Sequence, residues 1–221
     1  MGKETEQKQE IVNQGVHTYS QEEAYVWPEE PVLREQLEWF QDQKLALMVH
    51  WGVYNQLGMV ASWALSDEDA EWSRKTMDWT DDGEVFKRQY RALNRAFDPV
   101  AFQPEEWAKM AKKCGFRYLI LTTKHHDGFC LWDTAYTEYK TTAEECPFHT
   151  HKYADIVRAM FDAFRKEGLG IGAYFSKADW HCPDYWEKEK VFTGKTTRNP
   201  TYDPKENPEA WERFRAFTRD Q

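Results

Sequence analysis

The chain has 221 residues, 41% apolar and 30% charged, which bounds it as one soluble, enzyme-sized domain. A formal net charge of −9 argues against nucleic acid or an anionic membrane as partner, and no apolar run approaches the length of a membrane span. The charge does not deter a neutral ligand, and eleven Trp with 16% aromatics supply rings on which the apolar face of a sugar could stack, although most such rings are expected in the core.

Residues 1–26 form a polar N-terminal segment rich in Glu and Gln, expected to be disordered and lacking the apolar core of a signal peptide. Leu33, Leu37 and Phe40 then predict a short entry helix. Residues 45–52 are an apolar run ending in His50 and Trp51. After a long connection, Pro104 opens a helix whose apolar face is read as Trp107, Met110, Ala111 and Cys114, with Gly115 closing it. Tyr118 to Leu121 form a second apolar run that reads as a strand buried on both faces. It passes at once into Lys124, His125, His126, Asp127 and Gly128, so the polar groups fall at the strand's C-terminal end. Adjacent histidines in an extended tail point to different sides, which sends at least one of them to a cleft. Tyr153, Ile156, Val157, Met160, Phe161 and Phe164 predict the next helix, closed by Gly168. Residues 170–176 repeat the apolar run, followed by Lys177, Asp179, Trp180 and His181, and Asn207-Pro208 caps a final helix with Trp211 and Phe214 on its apolar face.

Strand and helix alternating three times predict an α/β architecture with a parallel sheet. No Gly-x-Gly-x-x-Gly follows a strand, and no phosphate loop or Gly-x-Ser-x-Gly elbow occurs. A (β/α)8 TIM-like barrel fits best, with only about its first three βα units present; residues 27–221 would be its N-terminal portion, ending before a fourth strand. Three units leave a raw sheet edge. Cys114, Cys130, Cys146 and Cys182 show no Cys-x-x-Cys spacing, and Cys114 is read as a small core residue. His149-x-His151 could pair on a metal but lies in a Pro-containing loop, and no His-Glu-x-x-His is present, so no metal or cofactor is expected. Neutral imidazoles at strand ends suit hydroxyl recognition, because one ring nitrogen donates and the other accepts. His50, His125 and His126 could clamp several hydroxyls of one pyranose, with Trp51, Trp63 and Trp72 covering its apolar face.

His50-Trp51-Gly52, the run from Leu121 through Thr-Thr-Lys-His-His-Asp-Gly to Phe129, Leu131-Trp132-Asp133, and Gly172-Ala-Tyr-Phe-Ser176 with Asp179-Trp180 together resemble the α-L-fucosidases of glycoside hydrolase family 29. Phe97-Asp98-Pro99 and Glu106-Trp107-Ala108 fit the same family, and the resemblance runs from about Trp27 to the end. It implies a retaining exo-hydrolase that removes terminal α-L-fucose from a fucosylated glycan, on a (β/α)8-like barrel, in a secreted, periplasmic or lysosomal setting. It further implies that His50, His125 and His126 bind fucose hydroxyls, that Tyr174 lies beside the nucleophile, and that Glu71-Trp72 contacts the sugar, with Asp67 and Glu68 as rivals for that carboxylate. A retaining glycosidase needs two carboxyl groups, and the family's nucleophile ends a fourth strand. No catalytic residue is therefore expected in this chain; nucleophile and acid/base are expected beyond Gln221, and Asp127 beside Gly128 is read as a turn residue.

Overall fold

The computed structural model describes residues 26–59, 61–68, 74, 79–193 and 195–221. The chain divides into two compact units, residues 1–42 and 43–221. In the first, helix α1 (Pro31–Gln43) begins where the Glu30 carboxylate accepts from the amides of Val32 and Leu33 at 3.1 and 2.6 Å, an arrangement that satisfies otherwise orphan donors. This is the expected entry helix; Leu33 and Phe40 on it are exposed.

The second unit is built on three parallel strands, β1 (Ala46–Val49), β2 (Tyr118–Lys124) and β3 (Gly170–Phe175), in the order β1-β2-β3. Helix α2 (Gly83–Arg91) and helix α3 (Pro104–Lys113) lie in the connection from β1 to β2, and α4 (Ile156–Lys166) joins β2 to β3. Helices α5 (Lys188–Thr193) and α6 (Pro208–Asp220) follow β3. α3 packs on α4, and α4 packs on β2 and β3. The helix ends follow local rules: Asp82, Asp155 and Asn207 cap α2, α4 and α6 with their side chains, and Gly115 and Gly168 take positive φ after α3 and α4. α2 had no counterpart in the sequence reading, although its cap at Asp82 and the Phe86–Tyr90 spacing were present to be read.

Burial corrects three expectations. In β2, Leu119 and Leu121 are fully buried but Tyr118 and Ile120 are only half-buried, so the strand is not closed on both faces as its apolar run implied. The buried stripe of α3 is Pro104, Ala108 and Ala111, with Met110 exposed, so the face is rotated from the one anticipated. Cys114 lies past the last residue of α3 and is exposed rather than in the core. Among the described residues no helix is long and apolar enough to cross a membrane.

Candidate functional site

The C-terminal ends of the three strands converge. His50 follows β1, His125 follows β2 and Tyr174 belongs to β3. The His50 and His125 rings meet edge to face at 4.9 Å, and His125 stacks on Tyr174 at 6.0 Å with 16° between planes. Tyr54 packs its ring against both histidines, at 5.9 Å from His50 and 5.6 Å from His125. This needs glycine at position 52, since a Cβ there would lie 2.6 Å from Cε1 of Tyr54. His126 is brought beside His125 at 4.6 Å and lies at 4.8 Å from Trp180. The two histidines therefore share a neighbourhood instead of diverging. The reason is local: β2 ends at Lys124, and the amide of Gly128 donates to the carbonyl of His125 at 3.1 Å, so His126 sits in a turn and not in a strand.

The direction of β2's side chains is set by an irregularity. Thr122 pairs with Tyr174 and Lys124 with Phe175, which leaves Thr123 as an extra, unpaired residue. Its hydroxyl donates to the carbonyl of Tyr174 at 2.9 Å. Lys124 is thereby turned inward and is 1% exposed, its ammonium donating to Asp179 at 3.0 Å and lying 4.5 Å over the Phe175 ring. The other Asp179 oxygen accepts from the amides of His181 and Cys182. Gly128, at φ +80°, packs so closely on this carboxylate that a Cβ would lie 2.5 Å from Oδ1 of Asp179.

Burial keeps the imidazoles neutral. It lowers the pKa of His50, and it takes His125 down to about 2 with the help of His126, His50 and Lys124. His126 is lowered by burial to about 4, against the opposing pull of the Ala178 backbone, and its Nδ1 is buried without a partner. The hydroxyl of Thr122 is 2.8 Å from Nδ1 of His50, and that of Ser62 is bonded to Nδ1 of His125. Asp127 does not face this cluster as a free carboxylate. It accepts from the Phe129 amide at 3.0 Å and from the Tyr90 hydroxyl at 2.8 Å, and burial raises its pKa to about 6. The turn reading of Asp127 thus holds.

Of the residues singled out from sequence, His50, His125, His126 and Tyr174 are assembled here, while Glu71 and Trp72 lie outside the described residues. The rival Asp67 is an ion-pair hub. Burial would raise its pKa, but Lys87, the Thr196 backbone and Arg74 bring it down to about 2. Glu68 is exposed. Trp51 is not a sugar platform, because it packs among Phe97, Phe102 and Trp107; Trp63 is 43% exposed. His149 donates to the Cys146 carbonyl and His151 accepts from the Tyr153 amide, so both serve their own loop. Sequence reasoning missed Ser62, Thr122 and Tyr54, whose only signal was proximity to the histidine motifs, and the Lys124–Asp179 pair, whose signal was a strand-end Lys with a strand-end Asp.

A sequence model of the α-L-fucosidase family matches residues 12–221. The chain belongs to the α-L-fucosidase family. It is 28% identical to the tissue α-L-fucosidase of Macaca fascicularis over 171 residues, 75% of this chain and 36% of that enzyme. The crystal structure of a family 29 α-L-fucosidase from Bacteroides thetaiotaomicron matches with a TM-score of 0.63 and 30% identity, over 90% of this chain and 38% of the other. A trapped covalent intermediate of such an enzyme from the same organism, with 2-fluoro-fucosyl fluoride, matches with a TM-score of 0.59 and 29% identity, over 90% and 39%. This α-L-fucosidase-family chain therefore spans between 36% and 39% of the length of these three relatives.

Proposed function

We propose that this chain is the sugar-recognition part of a retaining α-L-fucosidase acting on fucosylated glycans, on a (β/α)8-like barrel of which residues 27–221 supply the first three βα units. The observation that carries the reading is the convergence of His50, His125, His126 and Tyr174 at one end of a parallel sheet, with the rings kept neutral. Neutral imidazoles carry no charge and can offer a ring N–H to a ligand oxygen, which suits uncharged sugar hydroxyls better than phosphates or carboxylates. Kinship with a family 29 enzyme captured as a covalent intermediate supports the retaining course. The strand-end carboxylates Asp127 and Asp179 are both occupied by internal bonds, which leaves neither as nucleophile. Nucleophile and acid/base are proposed to come from residues outside these 221. Glu71 and Trp72 are proposed as further sugar contacts.

The test is to titrate this chain with α-L-fucose and to assay it with 4-nitrophenyl α-L-fucoside. Binding without release of 4-nitrophenol is the expected result; turnover by the 221 residues alone would refute the division of labour. His126→Ala is expected to weaken fucose binding by about tenfold, the worth of roughly 1–2 kcal/mol of polar contact. Unchanged affinity in the variant would remove this histidine from the site.

A further inference from the structure

The two histidines nearest each other across β1 and β2 are held in the same unusual way. Nδ1 of His50 is bonded to the hydroxyl of Thr122, and Nδ1 of His125 to that of Ser62. Both hydroxyl-bearing residues are fully buried, at 0% exposure. Among the described residues neither hydroxyl has another partner, and neither Nε2 has any. A hydroxyl carries one proton and can either give it to Nδ1 or accept one from Nδ1–H. If Nδ1–H were the donor, the hydroxyl proton would be buried with nowhere to go, which costs free energy. If the hydroxyl donates, the hydroxyl and Nδ1 are both satisfied and only Nε2 is left for a ligand. Nδ1 is then the acceptor in each ring, and the single ring proton sits on Nε2.

From this we propose that Thr122 and Ser62 are positioning residues that fix His50 and His125 as Nε2–H donors. The sugar oxygens they meet are then hydrogen-bond acceptors. The inference rests on the proposed sugar-binding reading for its ligand, but not for the tautomers themselves. Two preset donors 4.9 Å apart at the ring centres suit two oxygens of one pyranose ring. A hydroxyl at those positions must spend its own proton elsewhere, so a partner group on the far side of the sugar has to accept it. Neither Thr122 nor Ser62 touches the ligand; each acts through one imidazole, fixing both its proton and its ring orientation.

The experiment uses long-range proton–nitrogen correlation spectra of this chain with ¹⁵N-labelled histidine, alongside titration with α-L-fucose. The wild-type chain is expected to show His50 and His125 as neutral rings with the proton on Nε2. Thr122→Val keeps the strand-compatible shape and removes the donor. It is expected to give His50 an averaged pair of nitrogen shifts and to lower fucose affinity by roughly 3- to 10-fold, the worth of about one hydrogen bond. Thr122→Ser returns the hydroxyl and is expected to restore both readouts. Ser62→Ala is expected to do the same to His125 alone. A residue that only packs the core would lower the unfolding midpoint without moving the nitrogen shifts. A wild-type ring protonated on Nδ1, or a Thr122→Val chain with unchanged shifts and fucose affinity within twofold, overturns the proposal. A wild-type chain with the expected shifts that fails to bind α-L-fucose upholds the tautomer assignment and refutes the sugar-binding reading.

Discussion

Asp179→Ala is expected to lower the stability of the second unit by about 3–5 kcal/mol, the usual cost of stranding one member of a buried ion pair. The pair is closed to water, with Lys124 and Asp179 side chains 1% and 3% exposed. Removing the carboxylate leaves a buried ammonium without its ion-pair partner, over the Phe175 ring, and it also strips the acceptor from the amides of His181 and Cys182. Urea unfolding followed by tryptophan fluorescence reads the loss. Lys124→Met combined with Asp179→Ala removes both charges, and is expected to recover part of the stability but not the part owed to the two orphaned amides. A single variant that loses less than about 1 kcal/mol would mean that water reaches the pair, as at exposed sites. Gly128→Ala is expected to be costly for a related reason. It combines a φ of +80° with a methyl placed against the Asp179 carboxylate and Cβ of His181.

The second large effect is with pH. Burial takes His125 down to about 2, and His126 and His181 down to about 4, from 6.5. In the unfolded chain these rings take up protons below their ordinary value, while the folded chain refuses them. Their contribution is complete above pH 6.5 and is lost as the pH falls toward 4. Asp127 works in the opposite direction. Its pKa is raised by burial from 3.8 to about 6, so the folded state holds a proton that the unfolded state has released, and its contribution is lost as pH rises through that window. His125, His126 and His181 against Asp127 leave a net difference of two protons between about pH 4 and 6, and His50, also lowered by burial, acts in the same direction. At about 1.4 kcal/mol per proton and pH unit, stability is expected to fall by roughly 2–3 kcal/mol for each unit of acidification there. Urea midpoints at pH 6 and pH 5 check the slope; a flat or rising profile on acidification would show that the rings are hydrated in the folded chain.

Much of this was legible in the linear chain because the residues concerned obey local rules. Closing glycines, capping Asp and Asn residues and three apolar runs marked the βα units, and the strand-end histidines announced the site. What escaped depended on geometry that no local pattern encodes. The role of Trp51 turned on which side of β1 met Phe102 and Trp107. The partner of Lys124 lay 55 residues away. The company of His125 and His126 required knowing that a turn begins at the first of them.

The unpaired Thr123 reaches further than the strand that holds it. Side chains alternate along a strand with a period of two, so an added residue swaps every later one between the two faces. Were the same seven residues of β2 paired without interruption, Lys124 would occupy the face now held by Thr122 and His125, and His125 would be turned away. The mouth of the sheet would then present a fixed positive charge, and its natural guests would be carboxylates and sulfates. One backbone irregularity thus decides whether the mouth of this sheet is lined by neutral rings or by a fixed positive charge.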